Sequence, residues 1–368
     1  MKFTLLSGAY KNAGDHLIVQ RCKDLLRYVY PDCEIYEYPR NIYLDEYLQE
    51  INQTDCVILG GGPAYGTHMY PDTIRLVRNL DDIKVPIFAL GLGWWGITGS
   101  QRELESTKFS DDTMRLLKRM EEKYPLPSRD WMSYEVLQNN GIQTKMTGCT
   151  AWYNLPYIEQ VEPNGDDIKS ICISDPVRIK QYPMAAKLVR TIRRRYPKAK
   201  VKVVFHRGMG KVDEQTNEAL AKQQRKLLRL LEKENCEYVD IAFSANGLEQ
   251  YDNCDLHIGF RVHAHIYNLS VRNKSVLIEE DSRGSGVNNA LGLTGIKAYK
   301  DRPWLGNGRI YRHYMLNYSR NHSAMRDVRK LLDQIEVNGR DIYKNAFEKM
   351  QEYFKDMISY IEGIQKAM

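Results

Sequence analysis

With 368 residues the chain is long enough for two α/β domains with full cores, and 43% hydrophobic with 27% charged residues excludes long disorder. The net charge of +6 is mild, and no nucleic-acid-binding motif accompanies it, so a nucleic-acid partner is not expected. The 7 cysteines are scattered in an odd count without a CxxC pair, which argues against both a disulfide scaffold and a zinc site; no metal is expected.

Met1 leads into a strand-like run, and no signal peptide is expected. The longest apolar stretch, 85–97, is broken by Pro86, Gly91, Gly93 and Gly96 and is too short to span a membrane. A cytoplasmic location is the expectation.

Strand and helix alternate almost throughout. In the first half, strands are read at 2–7, 34–38, 55–59, 85–90 and 143–147. Helices are read at 15–29, where Leu17, Ile18, Cys22, Leu25, Leu26 and Val29 keep helical spacing, and at 71–80, 111–123 and 131–139. Residues 154–169, with Pro156, Pro163, Asn164 and Gly165, form the boundary. In the second half, strands at 169–174, 200–205, 237–241, 255–258 and 275–278 alternate with helices at 183–196, 213–234, 245–253 and 262–269. Strands separated by helix-length segments imply parallel sheets with right-handed crossovers. The expected fold is α/β: two Rossmann-like domains, 1–160 and 161–335, facing a cleft, with a C-terminal helix in 336–368 returning to the first domain.

Ligands of open parallel sheets bind at the carboxyl ends of strands, which selects the loops to read. After the first strand, Asn12-Ala13-Gly14-Asp15 opens a helix, where a glycine and free N–H groups suit a hydroxyl or oxyanion; taken alone, Asp15 reads better as an N-cap. This is no GxGxxG fingerprint, so no dinucleotide is indicated. Gly60-Gly61-Gly62-Pro63 follows the third strand and suits close ligand contact or a tight turn. Trp94 and Trp95 are either a sugar-stacking wall or core, and the 25 tyrosines against 8 phenylalanines suit sugar binding but read better as a compositional habit. Ser128-Arg129-Asp130 precedes a helix carrying Ser133; Arg129 is either a bidentate anion holder or half of a surface pair with Asp130.

The richest cluster is Gly259-Phe260-Arg261-Val262-His263-Ala264-His265, an arginine and two histidines at a strand-to-helix junction. His263 and His265 are two apart and face different ways on a helix, so the better reading is one of them as a proton donor. His206-Arg207-Gly208 is a secondary candidate, and Arg283 follows the last clear strand. Two basic clusters stand out, Lys187 with Arg190, Arg193, Arg194 and Arg195, and the series Arg302, Arg309, Arg312, Arg320 and Arg326. They read as solvated faces or as attraction to a phosphorylated substrate or an anionic membrane.

Taken together, Asn-x-Gly-Asp (12–15), the triple glycine, Arg-Asp-x-x-Ser (Arg129, Asp130, Ser133) and Arg-x-His (Arg261, His263) resemble the polysaccharide pyruvyl transferases, in an ordered set spanning most of the chain. The resemblance implies a glycosyltransferase-B-like fold and transfer of pyruvate from phosphoenolpyruvate to two sugar hydroxyls as a cyclic ketal. It implies His263 as general acid and Arg129 as holder of the donor's anionic groups, with Arg261, Arg283 and Ser133 on the donor side. Asp15 is the candidate acceptor-side base; Asn12, Gly14, Gly61, Gly62, Trp94 and Trp95 are acceptor-binding candidates. The partners implied are phosphoenolpyruvate as donor substrate, without a cofactor, and a sugar acceptor, with a lipid-linked carrier and a peripheral place at the inner membrane face suggested by the basic helix. Two departures are visible: Arg283 stands where a lysine is common, and Thr147-Gly148-Cys149-Thr150 stands where an aspartate is frequent. The rivals are a nucleotide-sugar glycosyltransferase, with Glu279, Glu280 or Asp281 for ribose hydroxyls, and a non-catalytic glycan-binding protein.

Overall fold

The computed structural model describes residues 1–9, 12–165, 167–214, 216–306 and 308–368. The five others fall in the predicted loop 8–15, the boundary 154–169, the predicted helix 213–234 and the second basic segment. The chain divides into two compact units: Met1–Ala9, Asp15–Pro156 and Lys349–Met368 form the first, and residues 10–14 with Tyr157–Glu348 form the second.

The first unit contains β1 (Lys2–Ser7), α1 (Ala13–Val29, from its third residue), β2 (Glu34–Pro39), α2 (Leu48–Ile51), β3 (Cys56–Tyr65), β4 (Ile87–Trp94), α3 (Gln101–Ser106), α4 (Asp111–Glu121), β5 (Leu126–Ser128), α5 (Trp131–Gln138) and β6 (Thr144–Met146). Its main sheet is parallel in the order β2-β1-β3-β4, and β5 pairs with β6. The strands β3 and β4 are buried nearly end to end, as their apolar runs require in a sheet covered on both faces.

The second unit contains β7 (Ser170–Ser174), α6 (Tyr182–Arg195), β8 (Lys200–Phe205), α7 (Glu218–Lys233), β9 (Glu237–Asp240), β10 (Leu256–Gly259), α8 (Val262–Ser270), β11 (Lys274–Glu279), α9 (Ser282–Leu291), β12 (Ile296–Lys297), α10 (Arg309–Asn317) and most of α11 (Ala324–Ala367). Its parallel sheet runs β12-β11-β10-β7-β8-β9, the Rossmann strand order. The last part of α11 belongs to the first unit: Tyr30 Oη donates to the Ile361 carbonyl at 2.8 Å, and the Tyr124 and Tyr360 rings lie 4.8 Å apart. The returning C-terminal helix is therefore present, and it begins at Ala324. Among the described residues no helix is long and apolar enough to cross a membrane.

Several predicted elements are corrected. No α-helix forms over 71–80: after one turn at Met69–Thr73 the chain leaves helical geometry, with Leu76 at φ +47°, and buries Ile74, Leu76, Val77 and Leu80. Its backbone bonds leave the segment, Arg75 N donating to the Arg40 carbonyl and Leu44 N to the Leu76 carbonyl. The triple glycine lies inside β3 instead of after it, pairing with β4 through Gly60–Leu90 and Gly62–Leu92. The helix read from 213 starts at Glu218, capped by Asn217, and 245–253 holds only a 3₁₀ turn, Gly247–Tyr251.

Candidate active site

In a doubly wound sheet the strand order reverses between two neighbours, and the loops leaving their carboxyl ends part to leave a crevice. In the second unit those neighbours are β7 and β10, in register with Ser174 opposite Gly259. Asp175 leaves β7 and Arg261 leaves β10, and the two meet. Arg261 Nε and Nη2 donate to Asp175 Oδ1 and Oδ2, each at 2.8 Å, while Arg261 N donates to Ser174 Oγ at 3.1 Å. The pair is buried, with side chains 7% and 0% exposed. Burial lowers the Arg261 pKa, but Asp175 more than offsets it and leaves the guanidinium above its ordinary value. Asp175 also accepts from His206 N at 3.1 Å and from Tyr182 Oη at 3.4 Å, so its carboxylate is fixed from three elements.

Beside Arg261 lies an open pocket lined among others by Asn12, His206, Arg207, His263, Glu280, Asp281 and Arg283. His263 sits half-buried in the first turn of α8. Gly14 packs against it: a Cβ at position 14 would lie 2.0 Å from His263 Nδ1, so glycine there leaves room for the imidazole. Asn12 takes the N-cap position of α1, its Oδ1 accepting from Gly14 N at 3.3 Å. That corrects the N-cap reading of Asp15, which stands in the helix's first turn and in the first unit.

Arg283 donates through Nε and Nη2 to Asp281 Oδ1 and Oδ2 at 2.9 and 2.8 Å. Burial would raise the Asp281 pKa, but Arg283 and Arg178 overcome it and hold the carboxyl below its usual value. The buried Glu280 accepts from Val177 N at 2.6 Å and Arg178 N at 2.9 Å; burial nevertheless pushes its carboxyl up to about 7. His206 is fully buried, with Nε2 2.9 Å from Tyr251 Oη and, among the described residues, no partner for Nδ1. Burial, then Arg261, holds its imidazole well below the ordinary histidine value.

Of the two histidines, His265 is not a proton donor to a ligand. It is wholly buried, with Nδ1 2.7 Å from Ser275 Oγ and Nε2 3.1 Å from Asn288 Oδ1, and burial lowers its pKa to about 3. Asn288 Nδ2 donates to Glu279 Oε1 at 2.7 Å, so Glu279 is held inside this network and leaves only Glu280 and Asp281 on the pocket.

The first unit places its candidates in two groups. At its own strand-order reversal, between β1 and β3, Gly61 and Gly62 have φ of +54° and +83°, which other residues rarely adopt. Arg40, which the sequence reading passed over, donates through Nη1 to the Gly61 carbonyl at 3.2 Å. Burial lowers the Arg40 pKa while Asp15 opposes that shift. The second group follows β4 and β5. Arg129 donates through Nε to Asp130 Oδ2 at 3.2 Å and through Nη2 to the Trp94 carbonyl at 3.1 Å. The Arg129–Asp130 pair is therefore buried, 5% and 3% exposed, and not a surface pair. Gly93 makes room for it, since a Cβ there would lie 2.4 Å from the Arg129 Cζ.

Two acceptor and donor candidates are corrected by this geometry. Ser133 is fully buried, its Oγ donating to Asp130 Oδ1 and accepting from Trp94 N, both at 2.8 Å, so it orients its neighbours and offers no hydroxyl to a donor. Trp94 is 4% exposed in the core of the first unit, whereas Trp95 is 38% exposed. The structure thus brings His263, Arg261, Arg283, Asn12 and Gly14 together in the second unit and keeps Asp15, Gly61, Gly62, Arg129, Ser133, Trp94 and Trp95 in the first. Asp175 was missed because its partner is 86 residues away; its place directly after β7 was the available signal.

Among curated proteins none is similar enough in sequence to count as a relative. Among solved structures, the chain is similar to Staphylococcus aureus MnaA, solved with UDP, at 11% identity and a TM-score of 0.51 over 94% of this chain and 91% of that one. It is also similar to the UDP-GlcNAc 2-epimerase of Neisseria meningitidis bound to UDP-GlcNAc, at 13% identity and a TM-score of 0.50 over 100% of both. At such identities the likeness establishes the fold, which is glycosyltransferase-B-like. The sequence matches the polysaccharide pyruvyl transferase family model over residues 12–282, a span that runs from the Asn12 N-cap through β11 and the start of α9. The chain belongs to the polysaccharide pyruvyl transferase family and is an enzyme of that class.

Proposed function

We propose that the enzyme moves pyruvate from phosphoenolpyruvate onto two hydroxyls of a sugar in a polysaccharide or its precursor, forming a cyclic ketal and releasing phosphate. The observation that carries this reading is the joint placement of Arg261, Arg283 and His263 on one pocket at the sheet's switch point. A donor with a carboxylate and a phosphate needs several cations, and a guanidinium fixed by a buried carboxylate is a preorganised one. In this reading His263, half-buried beside them, gives a proton to the donor's methylene carbon. The C2 centre becomes oxocarbenium-like, one sugar hydroxyl adds, phosphate departs and the second hydroxyl closes the ring. One hydroxyl proton replaces the proton lost by His263 and the other leaves with phosphate, so the exchange balances without a redox cofactor. We assign the acceptor to the first unit, where the positive-φ glycines, Asp15 and the exposed ring of Trp95 are the candidate contacts.

Binding can be read by thermal shift in the presence of phosphoenolpyruvate or of UDP-sugars. Stabilisation by phosphoenolpyruvate that is weakened by Arg283→Gln is expected. Stabilisation by UDP-sugars alone would replace this reading with that of a nucleotide-sugar glycosyltransferase, and glycan binding with no effect of either donor would point to a non-catalytic protein.

A further inference from the structure

The two basic clusters seen in the sequence part company in the structure. On α6 the cations are largely neutralised or tied to the fold. Arg195 pairs with Asp333 and Glu336 at 2.6 and 2.7 Å, Arg190 lies 3.7 Å from Glu234, and Arg193 donates to the Ala199 carbonyl at 2.9 Å. The segment 302–320 is different. It carries Arg302, Arg309, Arg312 and Arg320 without one aspartate or glutamate. Among the described residues none of these four guanidinium groups makes an ion pair.

The same segment exposes large apolar side chains. Trp304, in a short turn before α10, is 77% exposed; Ile310, on α10, is 74%; Tyr318, just after it, is 62%. Tyr311 and Met315 anchor the inner face of α10, so Ile310, His313 and Asn317 point the other way, flanked by Arg309 and Arg312. Arg320 ends the segment and also lines a second pocket with Lys180, Lys187, His322 and the buried Gln181. Among the described residues that pocket has no carboxylate in its lining and Gln181 Oε1 is buried without a partner.

Exposed tryptophan and isoleucine interleaved with unpaired arginine is costly in water and suits the boundary between lipid headgroups and acyl chains. Nucleic acid would reward the arginines and the rings but gives an exposed isoleucine nothing to bury. We infer that residues 302–320 dock the enzyme on an anionic bilayer, with Trp304 and Ile310 at the acyl boundary, the four arginines on lipid phosphates, and the pocket at Arg320 receiving one headgroup. The inference does not depend on the identity of the donor. It would set the enzyme beside an acceptor carried on a lipid.

The test is sedimentation of the full chain with phosphatidylcholine vesicles, with and without about one third phosphatidylglycerol. The anionic vesicles should take up the protein on the order of 100-fold better at low salt, and the preference should shrink with added salt. Arg309→Gln with Arg312→Gln should lower that partition about 30-fold, from roughly fivefold per arginine at a charged leaflet. Trp304→Ser should lower it several-fold while leaving the salt dependence in place. Arg190→Gln with Arg195→Gln removes the same charge from α6 and should change little. Equal uptake by both vesicles, an equal loss in the α6 variant, or binding to soluble heparin in place of vesicles would each overturn the inference. Circular dichroism and the thermal shift with phosphoenolpyruvate check that every variant is folded.

Discussion

Asp175 holds the guanidinium of Arg261 by both oxygens in a site with almost no solvent. A buried pair of this kind stabilises little compared with apolar packing, but removing one partner strands the other. Asp175→Asn should therefore cost about 3–5 kcal/mol in urea unfolding. A loss below about 1 kcal/mol would mean that Arg261 finds other partners and is not fixed by this contact. Glu280 gives a pH signature. Its folded value of about 7 lies above the ordinary carboxyl value, because burial favours the neutral form. A raised folded pKa contributes stability that is full below the unfolded value and is lost as pH rises through 7. Between pH 5 and 8 the wild type should thus lose stability relative to Glu280→Gln, which stays neutral. Melting curves across that window check it, and a constant difference or one of opposite slope would contradict it.

At the scale of elements, the reversal of strand order between β7 and β10 does more than any single motif to make the pocket. The junction after β10 was legible because an arginine and two histidines there follow an apolar strand. Which histidine faces the pocket was not legible in the local pattern and came only from the family resemblance: His265 is set apart by Ser275 and Asn288, and those neighbours come from β11 and α9. The strands β3 and β4 were read short because Gly60, Gly61, Gly62, Gly91 and Gly93 look like loop, yet in the sheet they carry the ladder while neighbours press close. The helix α9 was missed for the same reason. Its Gly284 and Gly286 lower helix propensity, yet there the helix packs so tightly that a Cβ on Gly284 would lie 2.9 Å from Leu277 Cδ2. Gly93 tests the idea that such glycines position the site. Gly93→Ala must push the Arg129 guanidinium off the Trp94 carbonyl. Pyruvyl transfer should fall on the order of 100-fold with the fold intact, as an ångström-scale displacement of a positioning group costs. Unchanged activity would mean that Arg129 takes no part in pyruvyl transfer.

For the whole molecule, the alternation of strand and helix announced a parallel α/β chain, and the ordered set of motifs announced the family. Contacts distant in sequence were beyond reach, above all the Asp175 partner of Arg261 and the division of α11 between the two units. The central claim is that His263, beside Arg261 and Arg283, delivers pyruvate from phosphoenolpyruvate to a sugar. The most direct measurement is NMR detection of the ketal methyl group together with released phosphate, using phosphoenolpyruvate and a panel of glycans with wild type and His263→Ala. Ketal and phosphate should form in equal amounts with an accepted glycan and fall roughly 100- to 10,000-fold in the variant. Undiminished ketal formation by His263→Ala, or phosphate release without ketal from every glycan, would contradict the account.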